Sequence, residues 1–315
     1  MYNVEEHLEQ CVLSVFNQQV PESDFEIVMV DDGSPDNSFV VATHLTFNNT
    51  NVKIIRQENK GLGGARNSGI LHATGKYLLF LDADDHLLPD VLSRLSNAAA
   101  EEDLDILEFG ARGISASNKI LYEIKNKSQI FFSGFDYYNS IRYMHSACNK
   151  LYKRDFLIDN NIFFLEQIFI EDFEFNTRCL AGATKLKAID LVVSQFLQSD
   201  NSITRNNDEV KKQKMTTDIM TVLKITDIAF RKQARNHTQT TFYLERLNFL
   251  VATLFYQLLK RNAGYNEVLA LKTELVANNL FYVNHKIFDT KKNIFRILFL
   301  RNLWTYKIYN FLKLK

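Results

Sequence analysis

Over the first third of the chain, apolar positions switch between a helical and an extended period. Leu8, Cys11, Val12 and Val15 recur on one face, so Val4 to Gln18 reads as an amphipathic helix. Phe25 to Val30 reads as a buried strand that ends in Asp31-Asp32-Gly33-Ser34-Pro35. A helix over Asn37 to Phe47 and a strand over Val52 to Arg56 follow, and Gly61-Leu62-Gly63-Gly64 opens a helix through Ala73. Leu78 to Leu81 run without a polar break and predict a strand buried on both faces, as in a parallel sheet. An unpaired carboxylate inside such a strand is costly, so the chain is expected to surface at Asp82-Ala83-Asp84-Asp85. A helix over Pro89 to Ala100 and a strand over Asp105 to Phe109 complete the pattern. Strands alternating with helices predict an α/β sheet built from parallel βαβ units.

From Gly110 to Phe132 the periodicity weakens, with a β-like piece at Lys119 to Ile124. Short helices are expected at Ser133 to Tyr143 and within Ser146 to Asn160, then a helix from about Asp172 to Leu180 and a strand within Ala188 to Leu197. Beyond Thr204 the pattern is helical, with a boundary in the polar stretch Ser199 to Glu209. No strand precedes the first helix. A doubly wound sheet needs a central strand there, so the natural beginning of the chain is expected upstream of Met1.

Composition narrows the class. The 315 residues carry balanced charge, which argues against a nucleic-acid partner. Cys11, Cys148 and Cys179 match no zinc or redox spacing and read as buried apolar residues in a reducing compartment. The start lacks the basic flank and apolar core of a signal peptide, and no apolar stretch is long enough to span a bilayer.

Four constellations carry candidate chemistry. Asp82 and Asp84 can converge on one hard divalent cation with a diphosphate, or form a solvated acidic turn; Asp85 reads as a helix-start residue. Asp31 and Asp32 can accept hydrogen bonds from a base or ribose beside the permissive Gly33, or cap a turn. The glycine turn offers backbone N–H groups at a helix N-terminus, with Arg66 placed to fork onto phosphate or to make a structural salt bridge. Glu171 and Asp172 sit at a helix start, where they complement its dipole or supply a general base. The tail from Lys286 has eight Lys or Arg against Asp289 alone, with Phe295, Phe299, Trp304, Tyr306, Tyr309 and Phe311 interleaved. That composition fits either an interfacial helix on anionic lipid or a packed terminal helix.

Taken in order, these motifs resemble family 2 of the glycosyltransferases, inverting enzymes of the GT-A (Rossmann-like) fold. The resemblance covers about residues 1 to 205. Tyr2-Asn3-Val4-Glu5 looks like the start of the family's first helix, and Asp31-Asp32-Gly33-Ser34 like its uridine-contacting motif. Glu58-Asn59-Lys60-Gly61 through Ala65-Arg66-Asn67-Ser68-Gly69 is similar to the second block, with Arg66 near the diphosphate. Asp82-Ala83-Asp84 looks like the DxD motif, its second acid ligating Mn²⁺ or Mg²⁺. Asn149-Lys150-Leu151-Tyr152 and Glu171-Asp172 resemble the segments that precede and supply the base, Asp172.

The resemblance implies a mostly parallel GT-A sheet flanked by helices, which a C-terminal helical extension is expected to follow. Residues 1–110 would bind the nucleotide sugar and 111–205 carry the acceptor and base, while 206–315 are expected to form a helical region whose tail either associates with membrane or packs on the protein. The resemblance implies a UDP-sugar donor and a glycan or lipid-linked acceptor; the expected location is cytoplasmic, at the inner face of the cell membrane if the tail meets lipid. Two departures stand out. Ser202-Ile203-Thr204 is present, but Gln195-Phe196-Leu197-Gln198 before it lacks the family's Arg, and the Gln-x-x-Arg-Trp motif of processive synthases is absent. Single addition is therefore expected. The competing reading is a nucleotide-sugar-binding or scaffold protein without turnover.

Overall fold

The computed structural model describes residues 1–47, 49–141, 144–198 and 208–313, with side chains through Ile308. In chain order the first elements are α1 (Leu8–Phe16), β1 (Ile27–Asp31), α2 (Ser38–Thr46), β2 (Val52–Arg56), α3 (Gly61–His72), β3 (Tyr77–Leu79), β4 (His86–Leu87) and α4 (Leu92–Ala100). There follow β5 (Ile106–Ile114), β6 (Ile120–Ile124), β7 (Gln129–Phe131), α5 (Gly134–Ser140), β8 (Lys150–Lys153), α6 (Arg154–Asp159), α7 (Glu171–Gly182) and β9 (Leu186–Leu197). The chain separates into two compact units, Met1–Arg205 and Asn206–Lys315. The polar stretch expected to divide them, and Ser202-Ile203-Thr204 within it, lie largely outside the described residues.

In the first unit, β1 and β2 pair in parallel from Ile27↔Val52 to Asp31↔Arg56. A second sheet runs in the order β3-β8-β5-β9-β4, with β6 on β5 and β7 on β9. Only β5 and β9 run parallel in it; β3–β8, β5–β8, β5–β6, β7–β9 and β4–β9 are antiparallel. The expectation of a mostly parallel sheet is thus corrected to a mixed one. At the sheet's edges β4, β6 and β7 add antiparallel pairs, and inside it the reason is β8, which the sequence pattern places within a short helix. Leu151 and Tyr152 are both buried, so β8 shows none of the alternation that marks a half-exposed strand, and it inserts between β3 and β5 in the opposite direction.

The expected apolar face of α1 is buried: Leu8 and Val12 pack with Met29 of β1, Ala42 of α2 and Val52 of β2. Another cluster joins Leu87, Val91, Leu95 and Ala99 to Leu107 and Phe109 of β5, Leu151 of β8 and Val193 of β9. Among the described residues no strand precedes α1. Met1 lies beside the end of β1: its amino group donates to Val30 O at 2.6 Å and its carbonyl accepts from Asp32 N–H at 3.0 Å.

The second unit is helical: α8 (Glu209–Gln233), α9 (His237–Lys260), α10 (Tyr265–Ala277), α11 (Thr290–Phe295), a π-helical turn over Arg296–Leu300, and α12 (Trp304–Lys313). Asp208, Asn236 and Asp289 cap the N-termini of α8, α9 and α11, each side chain accepting a backbone N–H of the first turn. The loop before α11 is tied down by buried acceptors on α9: Asn248 takes His285 N–H at 3.0 Å and Glu245 takes Phe288 N–H at 3.0 Å. No described helix is long and apolar enough to cross a membrane.

Candidate active site

The strand-end acids, the glycine helix and the start of α7 meet at one guanidinium. Arg66 is buried on α3. Its Nη2 donates to Asp82 Oδ1 at 2.8 Å and to Cys148 Sγ at 3.5 Å. Its Nη1 donates to Glu171 Oε1 at 3.1 Å and to Asp172 Oδ1 at 2.5 Å. The plane also lies 5.3 Å from the centroid of the Phe164 ring. One side chain thus joins the acid after β3 to the acids opening α7. Only a planar fork with donors at both ends spans carboxylates in this way.

The local sequence explains how α3 and α7 come together. Gly61 holds a φ of +76°, a left-handed conformation that favours glycine. A Cβ on Gly63 would stand 2.3 Å from the carbonyl oxygen of Leu165, so only glycine lets the 163–167 strap lie against the helix. Asn67 closes the contact, donating to Phe164 O at 2.9 Å and accepting Phe164 N–H at 2.7 Å. Gln167 N–H adds a bond to Lys60 O at 3.1 Å. The glycines therefore serve helix–strap packing, and Gly61 N–H is taken by Asn59 Oδ1 at 3.2 Å rather than left open. At the end of the strap, Ile170 adopts φ +60°, ψ +24°. A β-branched residue is strained there, and the turn aims Glu171 and Asp172 back at Arg66.

Electrostatics set the character of the cluster. Asp82 interacts with each of Asp84, Asp85, Glu171 and Asp172, and Arg66 is the cation shared by Asp82, Asp85, Glu171 and Asp172. Burial, reinforced by Asp172, pushes Glu171 up to about 7. Burial, then Asp82 and Asp84, pushes Asp85 up to about 9. Burial also raises Asp172 and Asp84, the latter reinforced by Asp82. Five carboxyl groups crowd one guanidinium, so burial and mutual repulsion favour protonation of some of them until a further cation enters. Asp172 accepts Ala147 N–H at 2.9 Å on Oδ2, yet 23% of its side chain stays exposed, enough for a small polar group to reach it.

Other expected residues sit as follows. Asp32 is buried and ties two segments, its Oδ1 accepting from Gln57 Nε2 at 2.7 Å and Lys60 N–H at 2.9 Å. Asp31 is fully buried, accepts Ser34 N–H at 3.2 Å and lies 3.2 Å from Arg56 Nε. The Met1 amino group, lowered by burial, lies in the field of Asp82, Asp32 and Asp31, so the ends of β1 and β3 share one electrostatic neighbourhood. Tyr2 and Lys60 are exposed, and Ala83 packs on the α1–β1–α2 core, anchoring the turn between Asp82 and Asp84.

Three contributors were not anticipated. Asp85 is buried rather than a helix-start residue, and its Oδ1 accepts Leu197 N–H at 2.8 Å, fastening the acidic turn to the end of β9. Cys148 touches Arg66 instead of only filling space. Lys150, fully buried, donates to Met144 O, Ser146 O and Asn149 Oδ1, each at 2.8 Å, and pairs with buried Glu108 at 3.4 Å. It thereby shapes the loop that offers Ala147 N–H to Asp172. The available signal was the resemblance of Asn149-Lys150-Leu151-Tyr152 to the family segment that precedes the base, which gave Lys150 itself no role.

Among the described residues no group of three or more metal-ligating side chains forms a closed cage. The donor chemistry nevertheless fits a hard cation: all-oxygen acids crowded on one guanidinium. Such an ion is commonly held by one or two carboxylates, with phosphate oxygens and water completing its shell.

Comparisons with known proteins bear on the family and the fold. The family description "Glycosyl transferase family 2" matches residues 1–160, a span that includes the β1 acids, Arg66 and the Asp82–Asp84 turn. The uncharacterized glycosyltransferase EpsJ of Bacillus subtilis (strain 168) is 31% identical over 216 residues, 65% of this chain and 61% of EpsJ. The chain thus spans about three-fifths of that relative's length. The poly(ribitol-phosphate) beta-glucosyltransferase of Bacillus spizizenii is 31% identical over 168 residues, 52% of this chain and 26% of that one. Among solved structures, S. aureus TarS 1–349 in complex with UDP-GlcNAc superposes with a TM-score of 0.56 at 19% identity, covering 81% of this chain and 79% of that one. This likeness establishes the GT-A fold: a central sheet flanked by helices, followed here by a helical C-terminal region. With the family's pattern running through residues 1–160, half of the chain, this protein belongs to glycosyltransferase family 2.

Proposed function

We propose that the chain is an inverting, metal-dependent glycosyltransferase. It moves one sugar from a nucleotide sugar, a UDP-sugar, to a hydroxyl of a glycan or lipid-linked acceptor, in surface polysaccharide or glycoconjugate synthesis at the inner face of the cell membrane. The observation that carries this reading is the Arg66 bridge from Asp82 to Asp172. It puts an acid suited to a donor's leaving group and an acid suited to an acceptor's proton on opposite ends of one guanidinium. The UDP-GlcNAc bound by TarS and the polymer named for the Bacillus spizizenii relative support the donor and acceptor classes.

In this reading residues 1–110 take the nucleotide sugar, through Tyr2, Asp31, Asp32, Lys60, Arg66, Asp82 and Ala83, and residues 111–205 supply the base and acceptor side. Asp84 would hold Mn²⁺ or Mg²⁺, which supplies electrostatic stabilisation of the diphosphate's developing charge. The anomeric C–O bond breaks and its electron pair leaves on the diphosphate. The acceptor oxygen forms the new C–O bond from the opposite face, inverting configuration through an oxocarbenium-like state. Asp172 receives the acceptor's proton. Burial raises its pKa, which makes its carboxylate a stronger base, and each of its oxygens keeps a lone pair beyond its present hydrogen bond. Glu171 beside it shapes the acceptor side.

The deciding experiment screens nucleotide sugars for Mn²⁺-dependent binding, then measures UDP release with and without acceptor. Asp172→Asn should abolish release while keeping Mn²⁺-dependent UDP binding. Full activity in that variant would remove Asp172 from the role of base, and binding without any turnover in the unmodified protein would favour a scaffold.

A further inference from the structure

The C-terminal segment wears its apolar residues on the wrong side. Phe295, Arg296, Leu300, Leu303 and Tyr306 point inward and are buried. Phe288, Ile294, Ile297, Leu298, Trp304 and Ile308 are exposed, from 41% at Ile297 to 61% at Trp304. Lys291, Arg301 and Lys307 are exposed among them. Lys291 and Ile294 lie one turn apart on α11, Trp304, Lys307 and Ile308 lie one turn apart on α12, and exposed Ile297 and Leu298 sit on the π-helical turn between. Single exposed apolar side chains need no explanation, but a run of them with interleaved cations within one segment does.

We propose that this exposed face of residues 286–308 docks on an anionic lipid surface. Large apolar side chains with interleaved cations are what an interfacial segment presents: the apolar groups enter the acyl boundary while Lys and Arg meet the headgroups. Asp289 is the only acid between Lys286 and Ile308, so a second copy of the same face would bring cations against cations. With no described helix able to cross a bilayer, the segment lies on the surface instead of spanning it. The aromatic positions that suggested lipid contact are largely reassigned. Phe295 stacks on Phe299 and meets Tyr256 edge-on, and Tyr306 donates to Ala263 O at 3.0 Å. The side chains of Tyr309 and Phe311 lie outside the described residues. The lipid-facing set is aliphatic, with Trp304 as its one aromatic anchor besides Phe288.

This surface deepens the membrane acceptor reading, and its test uses no activity, so either can fail alone. Trp304 is the chain's single tryptophan and reports on the face directly. The full chain is mixed with phosphatidylcholine vesicles, with or without phosphatidylglycerol, at low and high salt. Anionic vesicles should co-sediment the protein, shift Trp304 emission to the blue and protect it from an aqueous quencher; high salt should reverse all three. Lys291→Glu with Lys307→Glu, and separately Leu298→Ser, should each weaken binding several-fold. Absence of any shift with anionic vesicles, or equal binding to neutral ones, overturns the proposal. So does Trp304 protected by concentration-dependent self-association without lipid. If a variant misfolds, the unmodified protein alone still distinguishes these outcomes.

Discussion

Arg66 Nη1 stands 2.5 Å from Asp172 Oδ1, although 106 positions separate the residues in sequence. The same guanidinium reaches Asp82, so the fold is locked by the groups that the reaction would use. Replacing Arg66 by Met leaves three carboxyls without their cation. Removing one partner of a buried pair costs about 3–5 kcal/mol. The partial exposure of Asp82 and Asp172 argues for the lower end, about 3 kcal/mol. Arg66→Lys should recover little, because an ammonium cannot span both sides. Urea unfolding measures the stability loss, and titration with UDP measures the accompanying loss of affinity; an unshifted urea midpoint in Arg66→Met would contradict the locking role.

Stability should depend on pH through Glu171. Its folded pKa of about 7 lies above the ordinary value of 4.5, so the folded state holds a proton that the unfolded state has released. The protonated form's advantage is complete below about pH 4.5 and is lost as pH rises towards 7. Its magnitude is on the order of 3 kcal/mol. Glu171→Gln cannot ionise and should lose that part of the slope. Urea midpoints for both proteins across this window test it. Parallel curves would mean that Glu171 titrates normally.

Much of the site was legible because its residues sit at punctuation points. Asp31, Asp82 and Asp172 each follow an apolar run that must end where an acid begins, and periodicity finds such ends. Arg66 was legible as a forked cation in a glycine-rich helix start. What was hidden depends on pairings between distant segments. The direction of β8 cannot be read from Leu151 and Tyr152, since a strand buried on both faces has no alternating pattern. The burial of Asp85 depends on Leu197, 112 positions later, and local pattern treats it as another turn acid. The tail misled for a related reason. Aromatic and aliphatic residues alternate around its helices, and composition does not say which set faces the protein.

Asp84 should trade stability for binding. Burial and Asp82 both oppose its ionisation, so in the absence of a cation the carboxylate works against the fold. Asp84→Asn removes that charge while keeping the shape, and should raise stability by about 1 kcal/mol without metal. The same change should abolish the enhancement of UDP binding by Mn²⁺. Thermal unfolding with EDTA and calorimetry with Mn²⁺ and UDP read the two effects. A variant that binds UDP with undiminished Mn²⁺ dependence would take the ligand role away from Asp84.

Lys150 connects stability to the base through the backbone and through its charge, which lowers the pKa of Asp172. Its ammonium holds Met144 O and Ser146 O, and the next residue, Ala147, presents its N–H to Asp172. Lys150→Met strands the buried Glu108 carboxyl, which keeps the Tyr137 hydroxyl as a donor at 2.5 Å. The expected cost is about 3 kcal/mol. Lys150→Met with Glu108→Gln should regain part of it, because no unpaired charge then remains inside. Turnover should not follow stability in that double variant. The loop carbonyls would still lack their donor, Ala147 would no longer be held against Asp172, and the acid limb of the rate profile should move to higher pH as the carboxyl loses a stabilising hydrogen bond. Urea midpoints and pH–rate profiles of both variants separate the two effects. Recovery of rate in step with stability would reduce Lys150 to a core residue with no bearing on the base.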